Sequence, residues 1–89
     1  MTYHFIGLGG IGMSALARIL LQKGVKVHGS DIKSSLLLQE LETEGATVQI
    51  GHQPELAQAI ETVIYSSDIK EDNVEFMLAK EKNLPMLHR

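Results

Sequence analysis

Near the N-terminus, Gly7-Leu8-Gly9-Gly10-Ile11-Gly12 makes a Gly-x-Gly-x-x-Gly turn that follows an apolar run and opens a helical pattern. In such a turn the first glycine allows a tight exit from the strand. The second lets the backbone approach a phosphate, and the third allows a helix to pack closely on the sheet. The first-turn N–H groups of the helix have no intrahelical partners, so they point at any anion lying above them. The fingerprint is weak alone and gains weight from its strand-turn-helix context. The chemistry it suggests is the binding of a diphosphate.

Other polar residues fall where the same ligand would reach. Asp31 lies about twenty residues beyond the glycines, at the end of a second strand, where a carboxylate meets a ribose. A turn or capping aspartate is the plainer reading. No arginine neighbours Asp31 to meet a 2′-phosphate, which disfavours NADP. Ser66-Ser67-Asp68 follows a fourth strand, where its hydroxyls either donate to phosphate and sugar oxygens or simply cap a turn. His52, after Gly51 at the end of a third strand, can stack on a base or bond a phosphate. His4, His28 and His88 share no metal-ligand spacing with it. No Gly-Lys pair occurs, so a Walker-type ATP loop is absent, and no nucleophile sits beside a base. These residues describe a binding module without catalytic residues or metal ligands.

The elements that must position them alternate. Tyr3 to Leu8 reads as the first strand. Ile11, Ala15, Ile19 and Leu20 then follow a helical spacing that stops near Lys23-Gly24. Val25 to Gly29, running into Ser30-Asp31, is the second strand. Ser34 or Ser35 caps a helix carrying Leu37, Leu38 and Leu41, and Gly45 ends it. Thr47 to Ile50 is a third strand, and Pro54 opens a short helix through Ile60. Val63 to Ser66 is the fourth. Asp72 with Glu75 resembles a capping box for a helix through Lys82, and Met86-Leu87 begins a fifth strand. This order predicts an α/β fold, a Rossmann-like three-layer sandwich around a mostly parallel sheet of about five strands.

With 89 residues the chain makes one small domain, and 44% hydrophobic with 21% charged residues is ordinary for a globular protein. A net charge of −3 gives no footprint for nucleic acid or an anionic membrane. Without cysteine there are no disulfides or thiolate metal sites, which fits a cytoplasmic setting. No apolar run approaches a membrane span, and no signal-like leader precedes the first strand. The fifth strand barely finishes before Arg89, so both a stand-alone domain and a piece of a longer protein remain open.

The segment from His4 to Ser14, followed in order by Gly29-Ser30-Asp31, Gly51-His52 and Tyr65-Ser66-Ser67, closely resembles the Mur ligase family in its alanine-adding branch. The likeness covers essentially the whole chain, and Gly9-Gly10 followed by Gly12-Met13 is more specific than the bare fingerprint. It implies a Rossmann-like N-terminal domain over residues 1–89 that holds the UDP moiety of UDP-N-acetylmuramate, within a longer three-domain ligase of peptidoglycan biosynthesis. In the full-length family members ATP and Mg activate the substrate carboxylate and L-alanine displaces phosphate. The resemblance places all of that in domains beyond these residues, so this chain alone is expected to be inactive.

Carried over by motif, Gly9, Gly10, Ile11, Gly12 and Met13 are expected at the diphosphate, with Ser30 and Asp31 facing the uridine. His52, Ser66 and Ser67 are expected around the nucleotide or its sugar. Two positions depart from the family pattern, Asp68 in place of alanine and Val74 in place of proline. A carboxylate near a diphosphate repels it, so Asp68 is not counted as a ligand. An NAD-binding domain of a dehydrogenase or regulatory module is the alternative, and a dimerising nucleotide sensor a third.

Overall fold

A computed structural model describes residues 1–52 and 59–89. Five parallel strands form one sheet in the order β3-β2-β1-β4-β5. They are β1 (Thr2–Ile6), β2 (Lys26–Asp31), β3 (Thr47–Ile50), β4 (Ile60–Tyr65) and β5 (Met86–His88), with helices α1 (Ile11–Gln22), α2 (Leu36–Thr43) and α3 (Val74–Glu81) between them. The expected α/β sheet of about five strands is present, and all of it is parallel.

Alternation along the strands divides the core. Phe5, Val27 and Ile64 point to one face and pack with Leu8, with Met13 and Ala17 of α1, and with Leu38 and Leu41 of α2. Ile6 and Val63 point to the other face, with Ile60, and meet Phe76 and Ala79 of α3. Neighbouring strand residues therefore enter opposite layers, which is why β1 reads as a nearly continuous apolar run. Burying each of the larger side chains, the alanines aside, contributes about 1.5–3 kcal/mol, so these two layers dominate the stability.

The topology also creates a crevice. β2 and β3 extend the sheet to one side of β1, whereas β4 and β5 extend it to the other. The connections leaving β1 and β4 diverge at their carboxyl ends, where open α/β sheets accept ligands.

Local chemistry sets the helix ends. Each helix closes with the paired bonds of a Schellman turn. Val25 N–H donates to the Leu20 carbonyl (3.0 Å), Ala46 N–H to Leu41 (3.0 Å) and Leu84 N–H to Ala79 (3.0 Å). Asn83 takes the left-handed position of the third turn at φ 57°, a conformation that asparagine tolerates better than most residues. Ser35 is the cap of α2, its hydroxyl accepting from Leu38 N–H at 3.2 Å.

Four expectations change. β1 ends at Ile6, because Gly7 N–H and Leu8 N–H both turn onto the Ser30 carbonyl (2.8 and 2.9 Å). β4 begins at Ile60 and ends at Tyr65, so Ile60 belongs to a strand, and the remainder of the helix expected from Pro54 lies outside the described residues. α3 has no Asp72–Glu75 capping box. Asn73 caps it, accepting from Glu75 N–H (2.9 Å) and Phe76 N–H (3.1 Å), while the Glu75 side chain is drawn into the interior. Lys82 is the C-cap of α3 rather than its last turn.

Gly29 is held by packing. A Cβ there would stand 2.7 Å from Leu8 Cβ, too close for either strand or turn to accept unchanged. Gly29→Val is expected to lower unfolding stability by about 2 kcal/mol or more, read from denaturant melts. Asn73→Ala should cost about 1 kcal/mol by the same measurement, through loss of the cap alone.

Candidate functional site

The site begins with the turn between β1 and α1. Gly7 adopts φ 87°, in the left-handed region, which lets the chain leave the strand at once. Gly10 N–H closes the turn on the Gly7 carbonyl (3.2 Å), and Gly10 is the N-cap of α1. No side chain caps that helix and its first turn carries no acidic residue. Its positive dipole end therefore has no neutralising group within the helix, and the nearest carboxylate is that of Asp31 at the preceding Gly9 N–H (2.8 Å). The last residue, Arg89, brings its guanidinium over Gly12, with Cζ 2.8 Å from where a Cβ would lie. Helix dipole and guanidinium together favour an anion here.

Above this turn lies a cavity of about 540 Å³, open to solvent at the carboxyl ends of the strands. Gly7, Gly9 and Gly10 form one wall, Asp31, Ile32 and His52 a second, and Ser66, Asp68, Ile69, Lys70, Asp72 and Asn73 a third. Its size and position suit a small ligand of nucleotide class.

Of the residues singled out from sequence, Gly9, Gly10, Asp31, His52 and Ser66 meet around this cavity. Ile11, Gly12, Met13, Ser30 and Ser67 are not on its wall. Met13 is buried in the α1–α2 core, and Ser30 is fully buried beneath the site. Ile11 and Ser67 are exposed, and Gly12 faces Arg89 rather than the sheet. Asp31 is turned onto the turn itself. Its Oδ2 accepts from Gly9 N–H (2.8 Å) and its Oδ1 from Ile32 N–H (2.8 Å). Asp68 is exposed at the rim, where it shares the wall with Lys70.

Beneath the cavity runs a polar seam that sequence reasoning missed. Glu75 is fully buried, and its Oε1 accepts from the Ser30 hydroxyl (2.6 Å) and lies 2.6 Å from His4 Nε2. The same Ser30 Oγ lies 2.9 Å from His52 Nδ1, and Glu75 Oε2 is 3.6 Å from that nitrogen. His28 stands nearby on β2. Burial first, then the proximity of His4 and Lys26, lowers its pKa below the usual histidine value. Strand alternation does place His4, His28 and Ser30 on one face, and that was the available signal. Nothing local in the sequence indicated that Glu75 joins them. Arg89 was detectable as a basic residue directly after a strand, at the ligand edge. Among the described residues no group of acidic and histidine side chains has the arrangement of a metal site, and no helix is long and apolar enough to cross a membrane.

Comparison with known proteins identifies the family and the fold. The family model described as Mur ligase family, catalytic domain, matches residues 2–89. The UDP-N-acetylmuramate–L-alanine ligases of Protochlamydia amoebophila and Aquifex aeolicus are 54% and 48% identical over 87 residues, covering 98% of this chain and 19% of each relative. The chain thus spans about a fifth of the length of the curated relatives it matches. Among solved structures, UDP-N-acetylmuramate–alanine ligase from Thermotoga maritima aligns with a TM-score of 0.94 at 31% identity, covering 100% of this chain and 21% of that one. The UDP-N-acetylmuramate:L-alanyl-γ-D-glutamyl-meso-diaminopimelate ligase from Neisseria meningitides aligns at 0.86 with 26% identity, over 98% of this chain and 28% of that one. By its sequence over nearly its full length and by its fold, the chain belongs to the Mur ligase family.

Proposed function

We propose that residues 1–89 are the N-terminal nucleotide-binding domain of a cytoplasmic UDP-N-acetylmuramate–L-alanine ligase, and that the cavity at the strand ends holds the UDP moiety of UDP-N-acetylmuramate. One observation carries this reading. The glycine turn delivers the uncapped N-terminus of α1 to the switch point between β1 and β4, beneath a nucleotide-sized cavity. The names of the relatives supply the substrate class.

The diphosphate would rest on the Gly9–Met13 backbone, with Arg89 and Lys70 as nearby cations. For Ile11, Gly12 and Met13 the contribution is the backbone N–H, which explains how a buried Met13 side chain is compatible with a role at the ligand. His52 and Ser66 line the wall available to sugar or base. Ser30 acts from below, and Ser67 lies outside the cavity. Gly9 N–H is occupied by Asp31, so a phosphate that takes this donor has to displace that carboxylate.

ATP, Mg and L-alanine would be held by parts of the ligase beyond these residues, and the chain by itself would bind without turnover. There ATP and Mg would supply the activation of the substrate carboxylate. The contribution of these residues is to hold and orient the nucleotide end of the substrate.

Calorimetric titration with UDP-N-acetylmuramate and, separately, with NADH tests the assignment. Saturable binding of the UDP-sugar and none of NADH is expected. Binding of NADH without response to the UDP-sugar would overturn it in favour of a dinucleotide domain. Gly9→Val places a branched side chain where a Cβ already comes within 2.7 Å of Asp31 Oδ2, on the phosphate path. Its affinity for the UDP-sugar should fall at least roughly tenfold while circular dichroism reports a retained fold. Unchanged affinity would mean that the diphosphate lies elsewhere.

A further inference from the structure

We propose that Glu75 is a positioning residue, whose buried carboxylate sets which ring nitrogen His52 presents to the nucleotide cavity. The inference rests on the nucleotide-binding reading and adds to it a residue that touches no ligand.

A carboxylate with no solvent exposure is costly unless charge or hydrogen bonds compensate it, and Glu75 is at 0%. It stands in the first turn of α3, yet it is turned away from the helix end and toward β1 and β2. The hydrogen count in the seam is decisive. A serine hydroxyl has one hydrogen, and that of Ser30 goes to Glu75 Oε1 at 2.6 Å. At its 2.9 Å contact with His52 Nδ1, Ser30 Oγ can then only accept. His52 Nδ1 therefore carries a hydrogen. Glu75 Oε2, at 3.6 Å from the same nitrogen, favours that hydrogen electrostatically.

With Nδ1 committed below the site, Nε2 is the ring nitrogen left for the cavity that His52 lines. In the neutral ring that nitrogen is an acceptor. A uridine nucleotide offers matching donors in its ribose hydroxyls and its imide N–H. A free histidine in water favours the hydrogen on Nε2, which presents the opposite hydrogen-bonding character. Ser30 and Glu75 reverse that preference before ligand arrives. His4 provides the contrast. Its Nε2 is at Glu75 Oε1 while its Nδ1 has no partner among the described residues, so one carboxylate holds two histidines in opposite tautomers.

The test combines nitrogen-15 spectra of the histidine rings with UDP titration of the full chain, for wild type, Glu75→Gln and Ser30→Ala. Wild type should show the Nδ1–H pattern at His52 without ligand. In Glu75→Gln the amide oxygen can still serve His4 and Ser30, but its NH2 faces Nδ1. Donor against donor should move the hydrogen to Nε2 and weaken UDP binding roughly tenfold. Ser30→Ala removes the hydroxyl that accepts from Nδ1 and leaves only the 3.6 Å carboxylate contact to hold its hydrogen, so a smaller change of both readouts in the same direction is expected whether or not Glu75→Gln folds. A wild-type ring protonated at Nε2 overturns the inference. So does a Glu75→Gln chain that loses only melting temperature, with the His52 spectrum and UDP affinity unchanged. Failure of wild type to bind UDP overturns the functional reading and the inference with it, whereas intact wild-type binding with unaltered variants overturns the inference alone.

Discussion

Ser30, at the end of β2, makes contacts in two directions, and the arrangement of the cavity follows from both. Its carbonyl accepts the Gly7 and Leu8 N–H groups, which stops β1 and starts the glycine turn. Its hydroxyl joins the buried Glu75 carboxylate and meets His52. The turn that delivers α1 and the histidine on the facing wall are thus tied to one residue in the sheet. Because the residue is fully buried, water does not compete for these bonds. The position of the α1 N-terminus relative to His52 is consequently set by the sheet and not by the loops.

The same turn is fitted from above by packing and from the side by charge. Leu8 fills the space over Gly29, so the turn can descend only where β2 lacks a side chain. Asp31 satisfies Gly9 N–H with one carboxylate oxygen and Ile32 N–H with the other. In this state the glycine turn already has an anionic partner of its own. In the proposed complex a phosphate would bring greater charge to the α1 dipole and the neighbouring Arg89 guanidinium, against one aspartate hydrogen bond. On that reading, binding would be an exchange of anions at the Gly9 N–H.

Both faces of the sheet are covered, but they are not equivalent. The α1–α2 side is a continuous apolar layer from Phe5 through Leu41. The α3 side combines a smaller apolar cluster with the seam of His4, Ser30 and Glu75. Removing one partner from such a seam leaves a desolvated polar group behind, which costs more than the net worth of the bond. The seam therefore defines geometry at the cavity more than it adds stability.

Much of this architecture is local and was legible in the residues themselves. The strand-turn-helix around Gly7, the Ser35 cap, the helix ends at Gly24 and Gly45, and the parallel α/β order all follow from propensities that act within a few positions. The cavity wall at Gly9, Gly10, Asp31, His52 and Ser66 was legible too, because parallel strands bring their carboxyl ends to one edge. What local spacing could not decide was direction. Asp72 and Glu75 have the separation of a capping box, yet Asn73 takes the cap and Glu75 goes inward to His4, 71 positions away in sequence. Asp31 and Ser30 stand at the expected strand end, and only the packed sheet turns one onto the glycine turn and the other under it. The sequence alone determined most of the described elements and which edge of the sheet carries the cavity. The tertiary structure decided which polar groups line the cavity and which hold the others in place, because that choice depends on partners distant in sequence and on burial that exists only once the layers have closed.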